Sequence, residues 1–201
     1  MNDKIFIVTH KKLDKIIKKK GFSYIQVGNK TEDYNYEYKD SEGKNISFKN
    51  KNYCELTALY WIWKNYECPA STVIGFCHYR RFFSFLKLPY KMFFVSPRKA
   101  KKYLNKYDVI LPKKFKFSTT VYNYYFLGQG KKKDLDMTRI IISKLYPEYL
   151  PSFDEFSKQN KGHYCNMIIC QKKFLDSYCK WLFEILFELE KVTDLTGYSD
   201  A

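Results

Sequence analysis

The run Thr72-Val73-Ile74-Gly75-Phe76-Cys77 constrains this chain more than any other stretch. Almost every residue in it is apolar, so neither face of the segment tolerates water, and a strand of that kind is stable only inside a parallel sheet covered on both sides. Asp108-Val109-Ile110-Leu111-Pro112 reads as a second buried strand, stopped by its proline. Lys4 to Thr9 reads as a short β-branched strand and Tyr164 to Cys170 as a third apolar run. Helical patterns lie between them. Glu55 to Lys64 carries Leu56, Leu59, Tyr60 and Trp63 at the spacing of one core-facing stripe. Ser96-Pro97 has the form of an N-cap with proline at the first helical position, opening a helix that closes with Tyr103, Leu104 and Tyr107. Asp134-Leu135-Asp136 opens another, running through Ile140, Ile141 and Leu145 and stopping before Pro147. Phe174 to Glu190 is the strongest helix, with Phe174, Tyr178, Trp181, Leu182, Ile185, Leu186 and Leu189 on one stripe. A lysine-rich stretch with Leu13, Ile16 and Ile17, ended by Gly21, predicts a helix after the first strand, while residues 28–52 are turn-rich and predict irregular loop. Strands alternating with helices predict an α/β, Rossmann-type sandwich with a mostly parallel central sheet flanked by helices.

At 201 residues the expectation is a single domain, 1–201. No stretch approaches the roughly 18 apolar residues that cross a bilayer, and the greasiest, Trp181 to Leu189, is broken by Glu184 and Glu188. The N-terminus lacks the apolar core of a signal peptide, which predicts a cytoplasmic chain. A formal net charge of +15 makes an anionic neighbour plausible: nucleic acid, a phosphorylated small molecule or an anionic membrane. The lysine clusters Lys18–Lys20, Lys113–Lys114 and Lys131–Lys133 also fit plain solvated faces. Six cysteines form no CxxC pair, so free buried thiols are expected rather than a zinc site or a disulfide framework.

Ligands of open α/β sheets bind beyond the carboxyl ends of the strands. The residues there are Thr9-His10-Lys11, His78-Tyr79-Arg80-Arg81 and Pro112-Lys113-Lys114, while Gly162-His163-Tyr164 precedes the third apolar run. Two arginines behind a buried strand can fork onto a phosphate while an aromatic neighbour stacks on a base or sugar; the bland alternative is a solvated pair at the sheet edge. Neither GxGxxG nor a Walker pattern occurs, so a bound nucleotide is expected to be held by side chains and strand-end backbone. Asp134-Leu135-Asp136 has the spacing of a cation-binding acid pair, but its place at a helix start favours capping. Glu55 is either a capping-turn acid or a carboxylate facing the site.

The strings Asn52-Tyr53-Cys54-Glu55-Leu56-Thr57-Ala58-Leu59-Tyr60-Trp61 and Ile74-Gly75-Phe76-Cys77-His78-Tyr79-Arg80-Arg81-Phe82-Phe83 resemble the bacterial capsular and exopolysaccharide biosynthesis proteins long filed as a domain of unknown function and linked to glycosyl transfer. Ile25-Gln26-Val27-Gly28, Tyr107 to Lys113 and Gly162-His163-Tyr164-Cys165-Asn166-Met167 agree, and the match covers nearly the whole chain. The resemblance implies a GT-A type fold and a transferase moving a galactofuranosyl or galactosyl unit from a UDP-sugar donor to a lipid-linked acceptor of surface polysaccharide, with peripheral contact at the inner membrane. It implies donor-binding roles for Thr9, His10, Gly28, Asn45, His78, Tyr79, Arg80, Arg81 and Asn166, and Glu55 or His163 as the base. It leaves open whether a divalent cation such as Mn or Mg takes part; no metal ligand is assigned. The resemblance also implies that relatives continue past Gly197-Tyr198-Ser199-Asp200-Ala201, so a shortened member that transfers sugar poorly or not at all is a further expectation. The rival from another class is a basic nucleic-acid-binding module. Against it, most aromatics fall in stripes that predict burial, and no nucleic-acid partner is expected.

Overall fold

The structure, a computed structural model, describes residues 3–28, 32–84, 94–128 and 130–195. The expected end at residues 197–201 lies outside them. The chain forms two compact units, the first comprising residues 1–112 and 165–179, the second residues 113–164 and 180–200.

The first unit is built on β1 (Lys4–Thr9), β2 (Phe22–Gln26), β3 (Tyr38–Lys39), β4 (Val73–His78), β5 (Val109–Ile110) and a later strand at Ile168–Gln171. That later strand follows β6 (Phe115–Lys116) and β7 (Lys161–Gly162) of the second unit and is therefore β8. The sheet order is β3-β2-β1-β4-β8-β5. All neighbours up to β4 pair in parallel, whereas β8 runs antiparallel to both β4 and β5. The expected α/β sandwich on a mostly parallel sheet is what forms.

Alternation along β1 separates the two cores, as the pleat requires. Ile5 and Ile7 join Val73, Cys77, Ile169, Ala100 and Leu104 on one face. Phe6 points the other way, where its ring meets Tyr38 and Tyr66. On this second face lies the short α1 (Asn50–Tyr53) followed by α2 (Leu56–Asn65), whose Trp61 ring tilts against Tyr38 while its Nε1 donates to the Glu42 carbonyl at 2.9 Å. The buried side of α2 is Thr57, Ala58, Leu59, Trp61 and Ile62, so the expected stripe is rotated: Leu56, Tyr60 and Trp63 are only half-buried. Helix α3 (Pro97–Leu104) buries Pro97, Ala100 and Leu104, and its Ser96 cap accepts from the Lys99 backbone as the sequence predicts.

Three further expectations are corrected. Residues 11–20 form no helix: the backbone N–H groups of Leu13 and Ile17 donate instead to the hydroxyls of Tyr36 and Tyr24, each at 2.8 Å, and both side chains pack on the sheet without helical backbone. β5 is an edge strand rather than a buried one, with Val109 38% exposed. In the long helix α7 (Lys172–Val192) the expected stripe holds in the second half, where Ile185 is buried with Trp181 and Leu189 around it, while in the first half Leu175, Cys179 and Phe183 are buried in place of Phe174, Tyr178 and Leu182.

The second unit contains α4 (Val121–Leu127), α5 (Lys132–Leu145), α6 (Leu150–Lys158), the β6–β7 pair and the second half of α7. Ile141, Ile142 and Ile185 form its core with Met137, Phe153, Trp181 and Leu189 around them. Arg139 forks onto Asp154 with both bonds at 2.7 Å. Asp134 caps α5 by accepting from the Lys131 backbone, and Asp136 accepts from the Tyr122 hydroxyl at 2.6 Å. Of the cysteines, Cys77, Cys170 and Cys179 are buried and all six are free thiols, with the Cys170 thiol pushed up to about 12 by burial.

The tightest point of the first unit is Gly75, paired in register with Ile5: a Cβ there would lie 2.6 Å from Ile5 Cγ1. Gly75→Ala should therefore destabilise the fold by about 1–3 kcal/mol through overpacking. Urea unfolding checks it, and Ile5→Ala should cost less in the Gly75→Ala background than in the native one.

Candidate active site

From β1 the chain departs toward β2 and β3, whereas β4 lies on the other side of β1. The connections at the carboxyl ends of these two central strands diverge, which leaves a crevice at the topological switch point, where ligands of such sheets bind. Thr9 and His10 end one wall, and His78-Tyr79-Arg80-Arg81 the other. Thr9 is buried, and its hydroxyl bonds the Lys11 backbone, donating to the carbonyl at 2.8 Å. His10 and Tyr79 meet edge to face, with ring centroids 5.5 Å apart. Lys11 Nζ and the Arg80 guanidinium both stand over the Tyr79 ring, at 5.3 and 5.1 Å. β4 stops in a tight turn in which Arg81 N–H donates to the His78 carbonyl at 3.0 Å, and that turn presents Arg80 and Arg81 to solvent.

Beneath the arginines is a polar cluster. His78 Nε2 lies 3.5 Å from Glu55 Oε1, with the two side chains only 14% and 24% exposed. The same Glu55 oxygen accepts from Asn166 Nδ2 at 3.1 Å. Nε2 is buried and makes no hydrogen bond among the described residues, so the ring's bond to the Cys165 backbone falls to Nδ1. That bond sets the tautomer: Nδ1 carries the proton and Nε2 turns a lone pair toward the carboxylate. Burial lowers the His78 pKa, the Glu55 carboxylate raises it, and Arg81 and Arg80 lower it further, for a net depression that keeps the ring neutral near pH 7.

Backbone strain gathers at the same place. Cys54, Cys165 and Asn166 have φ of 47°, 78° and 47°, in the left-handed region that side chains with a Cβ avoid. Each costs on the order of 1–3 kcal/mol, and such residues persist where the surroundings over-determine them, most often at functional sites. The surroundings are visible. Asn50 Nδ2 donates to the Cys54 carbonyl at 2.7 Å and to Thr57 Oγ1 at 2.9 Å. Thr57 is in turn bonded to Asp40, a fully buried acid whose carboxylate accepts from Gly28 N–H at 2.9 Å and whose pKa burial pushes up. Gly28 itself has φ 82°, and a Cβ there would meet Asn50 Oδ1 at 3.0 Å. Glu55 is held at the N-terminal end of α2 by this chain of bonds.

The ends of β1 and β4 thus bring His10 against Tyr79 beside Thr9, Arg80 and Arg81, Glu55 and Asn166 join His78, and Gly28 is tied to Asp40 and faces Asn50. Asn45 stands apart. Its amide bonds the carbonyls of Ser41 and Gly43 and the Ser47 hydroxyl, in a loop tied through Lys44 to Asn65 at the far end of α2 from Glu55. His163 belongs to the second unit, next to β7, and is exposed. Asp40, Asn50 and Thr57 escaped sequence reasoning: Asp40 carries only turn composition, and Asn50 and Thr57 become meaningful only once Gly28 is brought against them.

NMR titration of the histidines should place His78 below the ordinary range. Glu55→Gln should lower it further and Arg81→Ala should raise it. Because the folded value lies below the unfolded one, this group's contribution to stability is present above the unfolded pKa of about 6.5 and lost as pH falls through the folded value. A His78 that titrates normally and ignores both substitutions contradicts the arrangement.

Residues 4–201 match the family model described as a domain of unknown function, DUF4422. No curated protein matches the chain. Among solved structures it is similar to the apo structure of WbbM, described as a bifunctional glycosyltransferase, with a TM-score of 0.88 and 30% identity over 99% of this chain. The likeness covers 39% of the WbbM chain, so this chain spans about two-fifths of that protein's length. The sequence, the fold and the family model agree, and the chain belongs to the DUF4422 family.

Proposed function

We propose that the chain is a glycosyltransferase, moving a hexose, galactofuranose or galactose, from a UDP-sugar to a growing lipid-linked surface polysaccharide. The observation that carries this reading is the crevice at the β1–β4 switch point, where a cationic rim stands over the Glu55–His78 acceptor pair. The likeness to WbbM supports the same chemistry.

In this reading Tyr79 faces the nucleotide, and Arg80 and Arg81 set fixed positive charge against the diphosphate, where negative charge grows as the sugar leaves. Glu55 is the base. The acceptor hydroxyl loses its proton to the Glu55 carboxylate, its oxygen bonds to the sugar's C1, and the C1–O bond to UDP breaks with its electron pair leaving on the diphosphate. Asn166 orients the carboxylate through Oε1, and neutral His78 stands beside it without adding a positive charge that would weaken the base. The acid pair Asp134 and Asp136 is engaged in capping α5 and in the Tyr122 bond. A divalent cation, where one takes part, would serve by offsetting diphosphate charge beside the arginines.

Calorimetry with UDP, UDP-galactose and UDP-galactofuranose tests donor binding. No heat from any of them, beside clear binding of RNA or DNA, overturns the reading in favour of a nucleic-acid module. Arg80→Lys and Arg81→Lys keep charge but lose the guanidinium fork, and each should cut donor affinity or turnover at least about tenfold. Glu55→Gln should lower kcat by roughly 10²–10⁴ with donor affinity little changed.

A further inference from the structure

We propose that the exposed face of α3 is the surface by which this chain meets anionic lipid headgroups. The helix divides its residues sharply. Pro97, Ala100 and Leu104 are buried, while Arg98, Lys99, Lys102 and Tyr103 are exposed on the other side, with Lys106 just beyond the helix end. Helical spacing, not adjacency, gathers them: residues three and four apart stand side by side. Together with Ser96 they line a hollow of about 450 Å³ that contains no carboxylate. Asp3 takes Lys101, on the same helix, at 3.5 Å. The lining itself is cationic.

The chemistry favours a charged surface over a single bound ion. Apart from Ser96, the lining side chains are all exposed and most are long lysines. Ordering each of them around one small anion costs up to about 2 kcal/mol of rotamer freedom. A plane of headgroups requires no such ordering, because each lysine or arginine near it gains about 1 kcal/mol from the surface potential while remaining mobile. Tyr103 and Tyr107, 40% and 63% exposed, add the amphipathic rings that settle at headgroup level.

This deepens the reading of a lipid-linked acceptor. Donor calorimetry reads only the crevice, so failure of one idea is distinguishable from failure of the other. The experiment is sedimentation with vesicles of phosphatidylcholine alone and of phosphatidylcholine mixed with phosphatidylglycerol. Lys99→Gln/Lys102→Gln/Lys106→Gln should lose roughly a hundredfold in affinity for the anionic vesicles. The control Lys131→Gln/Lys132→Gln/Lys133→Gln should lose far less, with melting temperatures confirming that both variants fold. Equal loss in the two variants means diffuse charge and overturns the proposal, as does equal binding of the native chain to both vesicle types. Competition by millimolar inorganic pyrophosphate at constant ionic strength would identify a soluble anion as the occupant and overturn it too.

Discussion

The parallel pairing of β1 with β4 lies in the middle of the sheet, and most of what makes the first unit useful depends on it. Both strands are buried on both faces, so their backbone groups must bond each other, and their register is set by side chains that have no other place to go. Ile5 opposite Gly75 is the clearest case, since only the missing Cβ of Gly75 allows the Ile5 side chain to sit where it does. The same register aligns Val8 with His78, and so brings the end of one strand level with the end of the other. A slip along this pair would separate His10 from Tyr79 and lift the arginine turn away from Thr9.

Given that frame, the polar cluster follows from helix geometry. A helix that returns across a parallel sheet begins at the carboxyl edge, so Glu55 at the start of α2 arrives beside His78 at the end of β4. Keeping both there requires unfavourable backbone at Cys54, Cys165 and Asn166. The hydrogen bonds of Asn50, Thr57 and Asp40 offset it, which explains a fully buried acid so close to a cationic rim: Asp40 serves the loop at Gly28, not the ligand. The strain lies next to His78, whose buried Nε2 makes no hydrogen bond among the described residues.

Positive charge is displayed in two different ways in the first unit. Arg80 and Arg81 are exposed together on the tight turn that ends β4. The cations of α3 are spread over one helix face. Neither grouping corresponds to the longest lysine runs in the chain.

Elements whose signal is local could be deduced from the residues alone. β1 and β4 carry it in unbroken apolar runs, α3 in its Ser-Pro start, and α5 in the acids that cap it; His78 to Arg81 stood out because a buried strand can only end in such residues at an edge. Elements decided by partners far along the chain could not. The stretch at Leu13 and Ile17 has helical spacing, yet the hydroxyls of Tyr36 and Tyr24 take its backbone donors, and no local propensity reveals competitors 23 and 7 residues further on that only the sheet brings into place. The stripe of α2 was rotated for a related reason: in a chain this rich in aromatics several faces are apolar, and the one that is buried in α2 is set by the contact of Trp61 with Tyr38, which in turn meets Phe6. Sequence alone therefore determined the α/β class and the residues that end β1 and β4. Only the tertiary structure decided that Glu55, His78 and Asn166 meet, because their side chains come from segments up to 111 residues apart and the bonds joining them exist only when β4, β8 and α2 are already in place.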